Sequence, residues 1–127
     1  MNEVKYPLAC ATWDHKEHNA MQRVISSGSY SMGKEVKLFE NQFANYFGKK
    51  YAIMANSGSS ANLLSLAIMK HLYGEGEIIV PSLTWVSDIA SIIQNNFKPI
   101  FVDINEKNLC MDTDKVINAI TKKTKAI

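Results

Sequence analysis

Three short apolar runs, Tyr51–Ala55, Glu77–Val80 and Pro99–Val102, each lead into a stretch with helical spacing. The first is followed by a helix predicted from Ala61 to about Tyr73, the second by one from Val86 to about Asn95. The third leads to a segment that Asp112 caps and that runs through Val116, Ile117 and Ile120. Short, mostly apolar runs without strict polar alternation read as strands covered on both faces, and strand–helix alternation joins such strands in parallel. The expectation is an α/β fold: a three-layer α/β/α arrangement around a mostly parallel sheet. Lys125-Ala126-Ile127 reads as a fourth strand at its beginning. A parallel sheet this small would leave backbone edges unpaired, so the chain reads as a truncated portion of a larger domain.

Ahead of the first run the pattern is helical. After an extended lead, Tyr6-Pro7-Leu8, Asp14 and Glu17 stand at capping-box spacing. Ala20, Met21, Val24 and Ile25 recur on one helical face, and Gly28 is the stop. The loop Ser29-Tyr30-Ser31-Met32-Gly33 leads to a second amphipathic helix with Val36, Phe39, Phe43, Tyr46 and Phe47 on its apolar face and Gly48 after it. Residues 1–33 are thus read as an N-terminal helix and loop, and residues 34–127 as the start of the sheet domain.

Charge and composition exclude several function classes. Fourteen Lys and Arg against twelve Asp and Glu leave a formal charge of +2, too small and too scattered for a phosphate-tracking nucleic-acid face. Lys122, Lys123 and Lys125 read as a solvated surface rather than a patch. Met1–Trp13 contains Glu3, Lys5 and Pro7 and lacks the apolar core of a secretory signal. The longest apolar stretch, Leu63–Met69, is too short for a bilayer; no membrane association and a cytoplasmic location are expected. Cys10 and Cys110 belong to no Cys-x-x-Cys pair and read as reduced, partly buried thiols. His15 and His18 are three apart but have no third ligand in view, and His71 near a helix end reads as a dipole partner. No metal site is expected. Asp103, at the end of the third run, has no assigned role.

Two segments carry candidate chemistry. Asn56-Ser57-Gly58-Ser59-Ser60 places small and hydroxylic residues where a run turns into a helix. Free N–H groups, close backbone approach and hydroxyls are what a phosphate needs, and the helix dipole favours the anion. Ser57 or Ser59 acting only as a helix cap would explain the same residues. Pro81-Ser82-Leu83-Thr84-Trp85 follows the second run at its carboxyl end, where ligands collect in open α/β sheets. Trp85 is either a packed core residue or a plate for a flat heteroaromatic ring. Together, an anion cradle and an aromatic plate suit a ligand with a phosphate and a planar ring; pyridoxal phosphate and nucleotides both qualify.

Gly33-Lys34-Glu35-Val36-Lys37-Leu38-Phe39-Glu40 resembles the N-terminal signature of the DegT/DnrJ/EryC/StrS family of sugar aminotransferases. So do Asn56-Ser57-Gly58-Ser59-Ser60-Ala61, Val80-Pro81-Ser82-Leu83-Thr84-Trp85, Phe101-Val102-Asp103-Ile104 and the ending Ile120–Ile127. The likeness runs through nearly the whole chain in the right order. Its opening, Tyr6–Asp14, looks most like the branch of nucleotide-sugar 3-dehydratases. The resemblance implies the N-terminal part of a fold-type-I enzyme using pyridoxal or pyridoxamine 5′-phosphate, usually a homodimer with active sites at the subunit boundary. It implies that Gly58 and Ser59 hold the cofactor phosphate, that Trp85 stacks on the pyridine ring, and that Ser31, Met32 and Gly33 lie near the substrate. Asn62 departs from many members and is assigned no role.

The family's pyridine-nitrogen carboxylate and its cofactor-bonding lysine, replaced by histidine in the dehydratase branch, match no residue here. No catalytic residue is therefore expected in this chain, which should be inactive alone. The implied parent reaction is amino transfer to a nucleotide-linked 4-keto sugar, or removal of its 3-hydroxyl, for surface polysaccharides and related glycans. Two alternatives stay open: a non-catalytic binding or assembly module, and a small nucleotide-binding domain.

Overall fold

In the computed structural model residues 9–127 are described, and the extended lead Tyr6-Pro7-Leu8 lies outside them. Contacts divide the chain into two compact units, Met1–Met54 and Ala55–Ile127.

The first unit holds α1 (His15–Ser27) and α2 (Lys34–Tyr46). Helix α1 begins where the sequence predicts it. Asp14 accepts from the Lys16 N–H at 2.6 Å, Glu17 reaches back to the Asp14 N–H at 2.8 Å, and Gly28 ends the helix at φ 66°. That box satisfies N–H groups that no carbonyl of the helix can reach. Helix α2 starts on Gly33, whose backbone alone forms the cap. Phe39, Phe43 and Phe47 line one face, with ring centroids 5.5 and 4.7 Å apart, and stay substantially exposed. Ala44 is the buried residue of this helix.

Tyr51–Ala55 is not a strand. Its backbone joins no ladder, Tyr51 and Ile53 are 75% and 77% exposed, and the Met54 N–H donates to the Glu40 carboxylate at 2.9 Å. A strand exists only through pairing, and no partner for these residues stands among the described ones.

The second unit begins with α3 (Gly58–Tyr73), followed by β1 (Glu77–Pro81), α4 (Val86–Gln94), β2 (Lys98–Val102), α5 (Thr113–Ala119) and β3 (Thr124–Ala126). Ile120 caps α5 instead of extending it. All strands are parallel in the order β2-β1-β3. Consecutive crossovers therefore run in opposite lateral directions, and right-handed connections place α4 and α5 on opposite faces. Strand β1 is the centre. Ile78 and Val80 pack with Ile92, Phe97, Leu66, Met69 and Ile89 under α3 and α4. Ile79, pointing the other way along the pleat, is 2% exposed. Burying such a side chain stabilises by about 1.5–3 kcal/mol.

Gly76 sets the start of the sheet. An added Cβ would lie 2.6 Å from the Lys123 carbonyl oxygen and collide with the Lys125 stem. Glycine alone lets the chain before β1 pass so close to the chain entering β3.

Candidate functional site

Strand β1 ends at Pro81, and a short loop, held by the Ser82 N–H to the Val102 carbonyl at 2.8 Å, carries the chain to Trp85. Trp85 is the N-cap of α4 and offers no side-chain cap. Trp85 is 75% exposed, so it takes no part in the core built around β1.

The serine turn takes its shape from Ser57. This residue is extended, and its hydroxyl accepts from the Ser60 N–H at 3.1 Å and meets the Ser60 hydroxyl at 3.1 Å. Ser57 therefore serves as the cap, and helix α3 starts at Gly58, three residues earlier than the apolar spacing indicates. The Gly58 and Ser59 N–H groups belong to the first turn, which has no intrahelical acceptors. A Cβ built on Gly58 meets nothing within 4 Å, so the backbone at this position is uncrowded on its side-chain face. Helices α1, α2, α4 and α5 each carry an acidic residue in their first turn, Glu17, Glu35, Asp88 and Asp114, whereas α3 carries none. No acid of its own first turn compensates its positive dipole end.

A hydrogen-bonded group joins the two segments. The Asn62 amide donates to Asp88 Oδ1 at 2.9 Å, and the Thr84 hydroxyl donates to Asp88 Oδ2 at 2.7 Å. Asn62 lies in the turn that follows Gly58 and Ser59; Thr84 immediately precedes Trp85. The starts of α3 and α4 thus share one edge of the sheet, at the carboxyl end of β1. Asn62, Thr84 and Asp88 also line a cavity of about 320 Å³ with Pro81, Met111 and Ile127. Gly58, Ser59 and Trp85 stand outside that lining. Asn62 and Asp88 have no local signal in the sequence, because 26 residues separate them.

Asp103 belongs elsewhere. The Ile104 N–H at 2.9 Å and the Lys115 ammonium at 3.2 Å, with the Ser82 hydroxyl, hold its carboxyl below the usual carboxylate value. It lines a shallow hollow with Asn105, Asp112 and Lys115 rather than the cavity beside β1.

In the first unit, Ser31, Met32 and Gly33 form part of a hollow of about 590 Å³, together with Arg23 and Ser27 of α1 and Lys34 of α2. Met32 is left-handed at φ 48°, a conformation that costs an L residue roughly 1–2 kcal/mol. Its side chain and that of Tyr30 face solvent. Cys10 and Cys110 are both exposed, where partial burial was expected, and neither forms a disulfide. His15 lies 3.6 Å from Asp14 on the exposed side of α1, and His71 stands in the last turn of α3. Among the described residues no three His, Cys, Asp or Glu side chains are grouped to hold a metal, and no helix is long and apolar enough to cross a membrane.

The family model of the DegT/DnrJ/EryC1/StrS aminotransferases matches residues 11–127. A GDP-4-keto-6-deoxy-D-mannose 3-dehydratase of Yersinia pseudotuberculosis is 46% identical over 98% of the chain, which covers 33% of that protein. A dTDP-3-amino-3,6-dideoxy-alpha-D-galactopyranose transaminase of Aneurinibacillus thermoaerophilus is 44% identical over 85% of the chain and 30% of its own length. Among solved structures, the Escherichia coli GDP-4-keto-6-deoxy-D-mannose-3-dehydratase with bound hydrated PLP superposes with a TM-score of 0.85 at 40% identity, over 95% of the chain and 32% of that enzyme. The chain thus spans about a third of the length of these relatives. The α/β architecture with its parallel sheet is the one that superposes on the solved enzyme, as the sequence predicts.

Proposed function

Because the chain belongs to the DegT/DnrJ/EryC1/StrS aminotransferase family, we propose that it is the N-terminal portion of a pyridoxal-phosphate-dependent enzyme acting on a nucleotide-linked 4-keto sugar. The parent reaction is removal of the 3-hydroxyl or amino transfer, in the making of deoxy- and aminosugars for surface glycans. The 3-dehydration branch is favoured: the likeness to those enzymes extends over 98% of the chain, against 85% for the transaminase. A cytoplasmic homodimer using an amino donor completes the reading.

The residues present fit the cofactor. The observation that carries the reading is the start of α3, with the Gly58 and Ser59 N–H groups in a first turn that Ser57 caps and that holds no acidic residue. A phosphate placed there accepts from those N–H groups and gains from the dipole. The Ser59 hydroxyl, free of the capping duty that Ser57 performs, adds a donor. The exposed Trp85 indole gives a flat apolar surface on the same edge, against which a pyridine ring stacks and is shielded from water. Ser31, Met32 and Gly33 are assigned to the sugar-nucleotide side of the reaction. The cofactor, when bound, supplies an electron sink for the carbon chemistry. This chain's residues bind and orient it; the groups that move protons lie in the part of the family that the chain does not span.

Titration with pyridoxamine 5′-phosphate tests the reading, because its amine does not condense with surface lysines. The expected result is saturable quenching of tryptophan emission that pyridoxamine without phosphate does not reproduce. Ser59→Ala should weaken binding by roughly 10- to 150-fold, the loss of one hydrogen bond to a charged group. Equal binding with and without the phosphate would overturn the reading and leave a binding or assembly module; preference for a nucleotide would favour the nucleotide-binding alternative.

A further inference from the structure

Helix α4 starts without a capping side chain, on Trp85. Its third residue, Asp88, has the position from which an acid commonly turns back to the N-cap N–H. Here both carboxylate oxygens are engaged elsewhere, one with the Asn62 amide at 2.9 Å and the other with the Thr84 hydroxyl at 2.7 Å. The first contact crosses to α3; the second fixes the residue next to the indole. A further tie, the Asn95 amide to the Leu63 carbonyl at 3.2 Å, holds the far end of α4 to the same stretch of α3. Both ends of α4 are therefore anchored to the turn that follows Gly58 and Ser59.

We propose that Asp88 is a positioning residue for the ligand edge: its bridge from Asn62 to Thr84 sets the Trp85 indole against the Gly58–Ser59 amides, so that one ligand can engage both. The inference rests on the cofactor reading above. A ligand with a phosphate at one end and a ring at the other loses affinity when the two holding points drift apart, since it can satisfy only one at a time. Asp88 touches neither the phosphate nor the ring, and acts through Trp85. Asn62 provides the α3 end of the bridge.

The Trp13→Phe chain leaves Trp85 as its sole tryptophan, and emission then reports on this residue alone. Asn62→Asp sets two carboxylates face to face; Asp88→Ala removes both acceptor oxygens. Each should weaken pyridoxamine 5′-phosphate quenching about tenfold, within the range for coupled neighbours, and should raise the acrylamide quenching constant of Trp85 in the ligand-free protein. The double swap, Asn62→Asp with Asp88→Asn, re-forms the bridge with donor and acceptor exchanged. It should return both readings to within about threefold of the parent. Single variants that bind like the parent overturn the inference, and so does a swap that recovers the melting temperature but not the ligand affinity. Ser59→Ala in the same background separates the two readings. If it weakens binding while the bridge variants do not, the positioning role alone fails; if it has no effect either, the phosphate reading fails first.

Discussion

At the scale of single residues, the molecule separates groups that shape the backbone from groups left available to a ligand. Ser57 caps α3, and its near neighbour Ser59 takes no part in the cap. Asp103 is a shaping group, and its electrostatics are testable. The Ile104 N–H and the Lys115 ammonium favour its charged form, so its folded pKa lies below the unfolded value. A depressed carboxylate stabilises the fold above the unfolded pKa of about 4 and loses that contribution as pH falls through its folded pKa. Carbon-detected NMR titration should show Asp103 titrating below an ordinary aspartate. Lys115→Met should move its midpoint upward without abolishing the depression, because the Ile104 N–H remains; an unchanged midpoint would count against the ion pair. Since Asp103 is exposed, the global melting temperature should barely respond.

At the scale of elements, what was legible in the sequence was what is local. The Asp14–Glu17 box, the Gly28 stop and the Asp112 cap are written within a few residues of where they act, and the structure places each as read. Tyr51–Ala55 has the composition of a strand, yet pairing depends on a distant segment, and the run stays unpaired. The start of α3 was misplaced by three residues because hydrophobic spacing is blind to a polar first turn capped by serine. The Asn62–Asp88 bridge is invisible for a related reason: it is set by packing between α3 and α4. Glycine at position 76 is equally non-local, since it answers to the Lys123 carbonyl across the sheet. Gly76→Ala should cost about 1–3 kcal/mol, as other forced overpacking does, read as a lowered denaturant midpoint. A parent-like midpoint would mean that the chain entering β3 can move aside.

At the scale of the whole molecule, burial is thin. The fully covered apolar set centres on β1, while Leu38, Phe39, Phe43, Ile68, Leu72 and Ile117 remain exposed on their helices. Exposed apolar area on this scale is what complementing structure covers in larger proteins. The isolated chain should melt at low temperature with a broad transition, and its sedimentation should show self-association that grows with concentration. A sharp cooperative melt from a strictly monomeric species would contradict this. The division between Met54 and Ala55 carries a practical corollary. The serine turn, the indole and the Asn62–Asp88–Thr84 bridge are all encoded downstream of it, whereas the hollow around Met32 is encoded upstream. A crossover at that seam between two homologous genes would exchange one without cutting a hydrogen bond of the other, so chimaeras joined there let each segment be varied while its counterpart is inherited intact.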